Sequence, residues 1–225
     1  MAESEATDPL TPALSPFEGA RGRALLPIGV LISGNGTNLD AILQRCDQGA
    51  LDADIRVVIA NRDEAAGLEH SRRRGIPSHV FARNEYAERI AQQRAMADCL
   101  CERGVELVVL AGFDQILVPE FVHRFPDRII NLHPSLLPAF PGGMHAVRDA
   151  LQYGVKVTGC SVHFATDDLD GGPIIAQEAV PVVDEDTEAS LLARIHEAEH
   201  RLLPAAIQLY AEGRLRLEGR QVRVG

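Results

Sequence analysis

Ile28-Gly29-Val30-Leu31-Ile32 runs directly into Ser33-Gly34-Asn35-Gly36-Thr37-Asn38-Leu39, and the reading of the fold starts from this stretch. The first five residues read as a strand buried on both faces, the small residues after it as a tight turn, and residues 39–48 as a helix. Strand, turn and helix make the opening of a βα unit. Further apolar runs at 55–59, 105–110 and 128–132 alternate with helical stretches at 65–74 and 86–103, which predicts a doubly wound parallel sheet for this half. After His133 a Pro- and Gly-rich loop leads to a helix at 145–152. Runs at 155–164 and 174–183, separated by turn residues 167–173, read as an extended antiparallel pair, and a long helix starts at Thr187 or Glu188. The expected class is therefore α/β, with a mostly parallel, doubly wound sheet and a C-terminal antiparallel extension.

Composition narrows the function. The 225 residues carry 32 Asp+Glu against 22 Lys+Arg, a formal net charge of −10. A chain this acidic repels a phosphate backbone, and its only Arg run, Arg72 to Arg74, falls on an expected helix, so no nucleic-acid partner is expected. Residues 1–26 hold Pro9, Pro12 and Pro16 with no hydrophobic period and read as a disordered leader before a single domain at 27–225. Cys46, Cys99, Cys101 and Cys160 form no C-x-x-C pair and no disulfide framework, which suits a reducing compartment. No apolar run approaches the ~20 residues that cross a bilayer, and the acidic start Met1-Ala2-Glu3-Ser4-Glu5 is not a signal peptide. The expected address is the cytoplasm, with no membrane partner.

Four segments carry chemistry. The turn at residues 33–38 points backbone N–H groups and a positive helix end at an anion, although a plain strand-to-helix connection would look the same. It is an incomplete dinucleotide fingerprint, because Leu39 stands where the third Gly belongs and Asn61-Arg62, not an acid, follows the second strand; a monophosphate fits better. Asn131 and His133 alternate onto one side at the carboxyl end of a strand, where open α/β sheets place ligands. Together they could hold a carbonyl oxygen and stabilise charge on it; each could equally be structural. In Asp167-Asp168-Leu169-Asp170-Gly171-Gly172-Pro173, a solvated turn by its plain reading, Asp170 would favour an imidazolium if it met His133. Finally, His196-Glu197-Ala198-Glu199-His200 matches the H-E-x-x-H pattern of zinc proteases. On a helical wheel whose apolar face is Leu192, Ile195, Leu202 and Leu203, however, Glu199 points inward and Glu197 outward. No metal is expected, and Glu199 needs a buried partner.

The segments Val30 to Leu39, Leu110-Ala111-Gly112-Phe113, Asn131-Leu132-His133-Pro134-Ser135-Leu136-Leu137-Pro138-Ala139-Phe140-Pro141-Gly142 and Leu169-Asp170-Gly171-Gly172-Pro173-Ile174-Ile175 resemble, in order, the phosphoribosylglycinamide formyltransferases, folate-dependent enzymes of purine synthesis. The likeness runs from Ile28 to about Glu218. It implies a Rossmann-like formyltransferase fold and transfer of the formyl group of 10-formyltetrahydrofolate, a co-substrate, to the amine of glycinamide ribonucleotide. By resemblance Gly36, Thr37 and Asn38 hold the ribonucleotide phosphate, and Glu199 contacts its ribose or glycinamide part. Asn131, His133 and Asp170 match the catalytic trio. Asp114, Gln115, Ile116 and Leu117, with Asn131, Thr166 and Asp167, line the pterin pocket, and Arg83 lies near the folate tail.

Two departures stand out. After Ala111-Gly112-Phe113 the family usually has Met-Arg, and this chain has Asp114-Gln115, an acid and a neutral amide facing an anionic co-substrate. Gly142-Gly143-Met144-His145 is one residue longer than the common pattern. Rival readings are a formyltetrahydrofolate hydrolase, whose relatives carry an additional N-terminal regulatory domain, a non-catalytic ribonucleotide-binding variant, and an NADP-dependent reductase using Gly34, Gly36 and Arg62. The methionyl-tRNA formyltransferase relatives carry a further C-terminal domain. Oligomeric state is not legible, and a homodimer remains open.

Overall fold

The structure, a computed structural model, describes residues 24–142 and 145–225. The expected leader falls outside these residues up to position 23, as do Gly143 and Met144. In chain order the elements are β1 (Leu26–Ile32), α1 (Thr37–Asp47), β2 (Ala53–Ala60), α2 (Leu68–Arg73), β3 (Ser78–Val80), a 3-10 turn at Arg83–Glu85 and α3 (Arg89–Glu102). β4 (Leu107–Leu110), α4 (Pro119–Arg124), β5 (Ile129–His133), α5 (Ala146–Tyr153), β6 (Val157–Phe164), β7 (Ile174–Pro181), α6 (Glu188–Ala211), β8 (Leu215–Glu218) and β9 (Gln221–Val224) follow.

Among the described residues these strands form one sheet in the order β3-β2-β1-β4-β5-β6-β7-β9-β8. β3, β2, β1, β4 and β5 pair parallel, whereas β6 runs antiparallel to both β5 and β7. The chain winds outward from β1 through β2 to β3, then returns to place β4 on the other side of β1. This reversal opens a crevice at the carboxyl ends of β1 and β4.

Alternation along the strands splits the core. Val30 and Ile32 face α1 and α6, where Leu39, Ile42, Leu191, Ile195 and Leu203 are buried; Leu31, Val108 and Leu110 face α3 and α4, where Met96, Leu100, Phe121 and Phe125 are buried. Gly29 lets α3 pack closely: a Cβ there would lie 2.3 Å from Leu100 Cδ2 and force that side chain to shift. At the start of α6 the Thr187 hydroxyl accepts from the Ser190 backbone N–H at 3.1 Å while the Ser190 hydroxyl accepts from the Thr187 N–H at 3.0 Å, a capping box built with Ser.

The βα alternation, the antiparallel β6–β7 pair and the start of α6 match the sequence reading. Helix α1 begins two residues earlier than expected, so Thr37 and Asn38 belong to its first turn. The three-residue β3, the six-residue α4 and the β8–β9 hairpin were not anticipated. The wheel of α6 is also shifted: Leu191 and Ala198 are fully buried, while Leu192 and Leu202 are only partly so.

Candidate active site

The turn after β1 is shaped by two glycines that no side chain could replace. Gly36 has φ 70°, and a Cβ on it would lie 2.6 Å from the Gly67 Cα. Gly67, just before α2, in turn donates its N–H to the Gly34 carbonyl at 3.0 Å. With Gly36 as N-cap and no side chain capping it, the first N–H groups of α1 stay open to an anion. Asn38 is buried, and its Nδ2 donates to Glu199 Oε2 at 2.9 Å, while its own Oδ1 has no partner. Burial pushes the Glu199 carboxyl up to about 7, against the lowering effect of the Asn38 hydrogen bond. An unpartnered carbonyl and an acid that ionises near neutrality beside an anion cradle suit a ligand that carries a phosphate together with hydroxyl or amine donors.

A second cluster closes the carboxyl end of β5. His133 Nδ1 lies 3.3 Å from Asp170 Oδ2, both side chains being less than a tenth exposed, and its Nε2 faces the Phe140 carbonyl at 2.8 Å. Both ring nitrogens thus meet acceptors, which an imidazolium satisfies in full. Asn131 Nδ2 lies 3.3 Å from Asp170 Oδ1 and 3.0 Å from His163 Nε2. Burial works to raise the Asp170 carboxyl, but His163, the Gly142 N–H at 2.7 Å and the charge of His133 outweigh it and hold it below its ordinary value. Asp170 and Phe140 both sit at positive φ, 51° and 52°, a strained backbone that tends to concentrate at functional sites. The loop after His133 is pinned: Ser161 Oγ donates to the Ser135 carbonyl at 2.6 Å and accepts from the Leu137 N–H at 3.0 Å, and Gln177 Nε2 donates to the Leu137 carbonyl at 2.9 Å.

Asn131, His133 and Asp170 open onto a cleft of about 400 Å³ whose walls are residues 112–117 and 165–170, together with His163. The expected pterin-pocket residues Asp114, Gln115, Ile116, Leu117, Thr166 and Asp167 all line it. Arg83 does not. It lies on the 3-10 turn and lines a neighbouring cavity of about 340 Å³ with Asn61, Arg62, Asn84, Asp114 and Gln115, so Asp114 and Gln115 border both spaces. The cradle and the cleft are tied together, since Ser33 N–H donates to the Gly112 carbonyl at 3.0 Å and Ser33 Oγ accepts from the Asp114 N–H at 3.0 Å.

Sequence reasoning missed two contributors, His163 and Arg220, and the partner of a third, Arg62. His163, 2% exposed, sits opposite Asn131 in the β5–β6 register, a placement that only the antiparallel pairing reveals. Arg62 pairs with the Asp114 carboxylate, so it is already engaged within the chain. Arg220, at the tip of the β8–β9 hairpin, donates to the Gly171 carbonyl at 2.8 Å and braces the turn that carries Asp170. In the H-E-x-x-H stretch His196 and His200 stack at 6.1 Å, and it is Glu199, not Glu197, that turns inward. Among the described residues no group of His, Cys, Asp and Glu is arranged to hold a metal ion, and no helix is long and apolar enough to cross a membrane.

Comparison with known proteins agrees with this geometry. The phosphoribosylglycinamide formyltransferase of Escherichia coli strain K12 is 43% identical over 190 residues, covering 84% of this chain and 89% of that protein. The solved structure of glycinamide ribonucleotide transformylase 1 from Symbiobacterium toebii matches with a TM-score of 0.87 at 50% identity, over 89% of this chain and 94% of that one. A formyltetrahydrofolate deformylase from Pseudomonas syringae pv. tomato shares the fold at a TM-score of 0.83 and 26% identity, covering 89% of this chain but 66% of its own. The formyl transferase family profile matches residues 27–207, which span both the glycine cradle and the Asn131, His133 and Asp170 cluster, and the chain belongs to that family.

Proposed function

We propose that the protein transfers the formyl group of 10-formyltetrahydrofolate to the amine of glycinamide ribonucleotide, giving the formylated ribonucleotide and tetrahydrofolate in purine biosynthesis. The observation that carries this reading is the distance relation of the two half-sites. An anion cradle at the end of β1 and the Asn131, His133 and Asp170 cluster at the end of β5 are separated only by β4. Two strand spacings are about 10 Å, the reach of a sugar phosphate with a short side arm. The ribonucleotide phosphate would take the N–H groups at Gly36, Thr37 and Asn38, with Glu199 and the free Asn38 carbonyl on its donor groups. The main cleft fits the other substrate: Gln115 presents a buried Oε1 without a partner, which suits the N–H donors of a pterin, and Ile116, Leu117 and Leu169 supply apolar walls.

An amine of pKa about 8 is partly unprotonated at neutral pH, so no strong base is needed to start the reaction. As the amine attacks the formyl carbon, negative charge grows on the formyl oxygen. Asn131 and the His133 imidazolium stabilise it, the formyl oxygen replacing the Phe140 carbonyl as the acceptor of His133 Nε2–H. Asp170 stays ionised throughout and keeps the ring charged and oriented through Nδ1. The carbon–nitrogen bond to the carrier then breaks, and the proton lost by the attacking amine is taken up by the departing nitrogen.

The reaction takes place with no partner beyond the two small molecules, in the cytoplasm. The test is the absorbance change of 10-formyltetrahydrofolate on mixing with the protein, with and without glycinamide ribonucleotide. Deformylation only in the presence of the ribonucleotide supports transfer. Equal deformylation without it makes the protein a hydrolase, the activity named for the Pseudomonas relative.

A further inference from the structure

The border between the two cavities holds an acid whose charge is directed at a cation. Asp114 Oδ2 accepts from the Arg62 guanidinium, and Oδ1 accepts from Asn61 Nδ2 at 2.6 Å. Its backbone N–H is held by Ser33 Oγ, so the carboxylate is fixed at both oxygens and its side chain is 15% exposed. The neighbouring cavity is where a substrate tail leaving the cleft past Gln115 would emerge. Its charged lining is Arg62 and Arg83 against Asp63, Glu64 and Asp114, two cations and three anions. Beside them, Asn61 Oδ1 is a buried acceptor without a partner.

This mouth is poorly suited to a string of carboxylates and well suited to amide N–H donors. We infer that Asp114 determines specificity for the co-substrate tail: by holding Arg62 it withdraws that guanidinium from anionic tails, so that glutamates added beyond the first gain the folate no affinity. The inference rests on the function proposed above. An incoming tail carboxylate must compete with Asp114 for Arg62 and also approach Asp63 and Glu64, so each added glutamate brings repulsion and little new pairing. The conservative replacement Asp114→Asn keeps the hydrogen bond from Asn61 and removes only the charge, freeing Arg62 for the tail.

The experiment is a calorimetric titration of the full chain with monoglutamyl and pentaglutamyl tetrahydrofolate, for the wild type, Asp114→Asn, Arg62→Gln and the double variant, with thermal unfolding to confirm that each is folded. Wild type should bind the two folates within about twofold of each other. Asp114→Asn should tighten the pentaglutamyl form roughly two- to fivefold, the upper range of one exposed ion pair gained, and the monoglutamyl form less. In the Arg62→Gln background the same change should have almost no effect, because the coupling runs through that guanidinium. The inference is overturned if Asp114→Asn leaves both affinities unchanged, if its effect persists without Arg62, or if the wild type already prefers the pentaglutamyl form tenfold or more. Absence of any folate binding by the folded wild type overturns the proposed function itself, a result distinct from these.

Discussion

Replacing Asp170 by Asn should cut turnover sharply while leaving the protein folded. The substitution removes the negative charge and one of two acceptor oxygens: the amide oxygen can still accept the Gly142 N–H, the amide nitrogen replaces the oxygen that faces Asn131 Nδ2 at 3.3 Å, and Asn tolerates the left-handed backbone that φ 51° imposes. The lost charge stands 3.3 Å from His133 Nδ1, with both side chains less than a tenth exposed. At an effective dielectric constant of about 20, that separation is worth roughly 5 kcal/mol of attraction before desolvation is subtracted. A hydrogen bond between charged groups keeps about 1.5 to 3 kcal/mol of this net, so its loss should cost roughly 10- to 150-fold in turnover. The assay is steady-state kinetics with both substrates saturating, so that binding losses do not mask the chemical step. A kcat within threefold of wild type would refute the argument that Asp170 acts by keeping His133 charged.

Two other substitutions separate binding from stability. Burial sets Glu199 at about 7, above the ordinary carboxylate value of about 4.3, so its contribution to folding is complete below that lower value and is lost as pH rises through 7. Between pH 5 and 8 the wild type should lose about 2 to 3 kcal/mol that Glu199→Gln retains, measured by denaturant unfolding, and KM for the ribonucleotide should rise in the variant; a parallel decline in both proteins would count against it. Gly36→Ala would force a Cβ to 2.6 Å from the Gly67 Cα at φ 70°, and should cost at least about 2 kcal/mol of stability and weaken ribonucleotide binding about tenfold or more. A stability within about 0.5 kcal/mol of wild type would contradict that packing.

What the sequence revealed and what it hid follow from the range of each interaction. The β1–α1 unit was legible because strand, glycine turn and helix are adjacent, and Asn131 and His133 share a face by simple alternation. Glu199 was legible from the period of α6, but its partner Asn38 was not, since the two lie 161 residues apart. His163 needed the β5–β6 register, and the Arg62–Asp114 pair joins positions 52 apart across the switch point of the sheet. Three-residue β3 and six-residue α4 are shorter than any hydrophobic period can resolve, although Pro119 at the first turn of α4 was a local signal. The β8–β9 hairpin does alternate, Leu215-Arg216-Leu217-Glu218 against Gln221-Val222-Arg223-Val224, but each run is only four residues long and mostly exposed, too short to stand out as a strand.

The most direct test of the account follows the formyl carbon itself. In a single-turnover reaction with 10-formyltetrahydrofolate labelled with carbon-13 at the formyl position and excess enzyme–ribonucleotide complex, the label should appear in full on the glycinamide nitrogen as an N-formyl resonance, with no labelled formate. Label recovered as formate, or left on the folate after the wild type has been shown folded, would contradict direct formyl transfer by Asn131, His133 and Asp170.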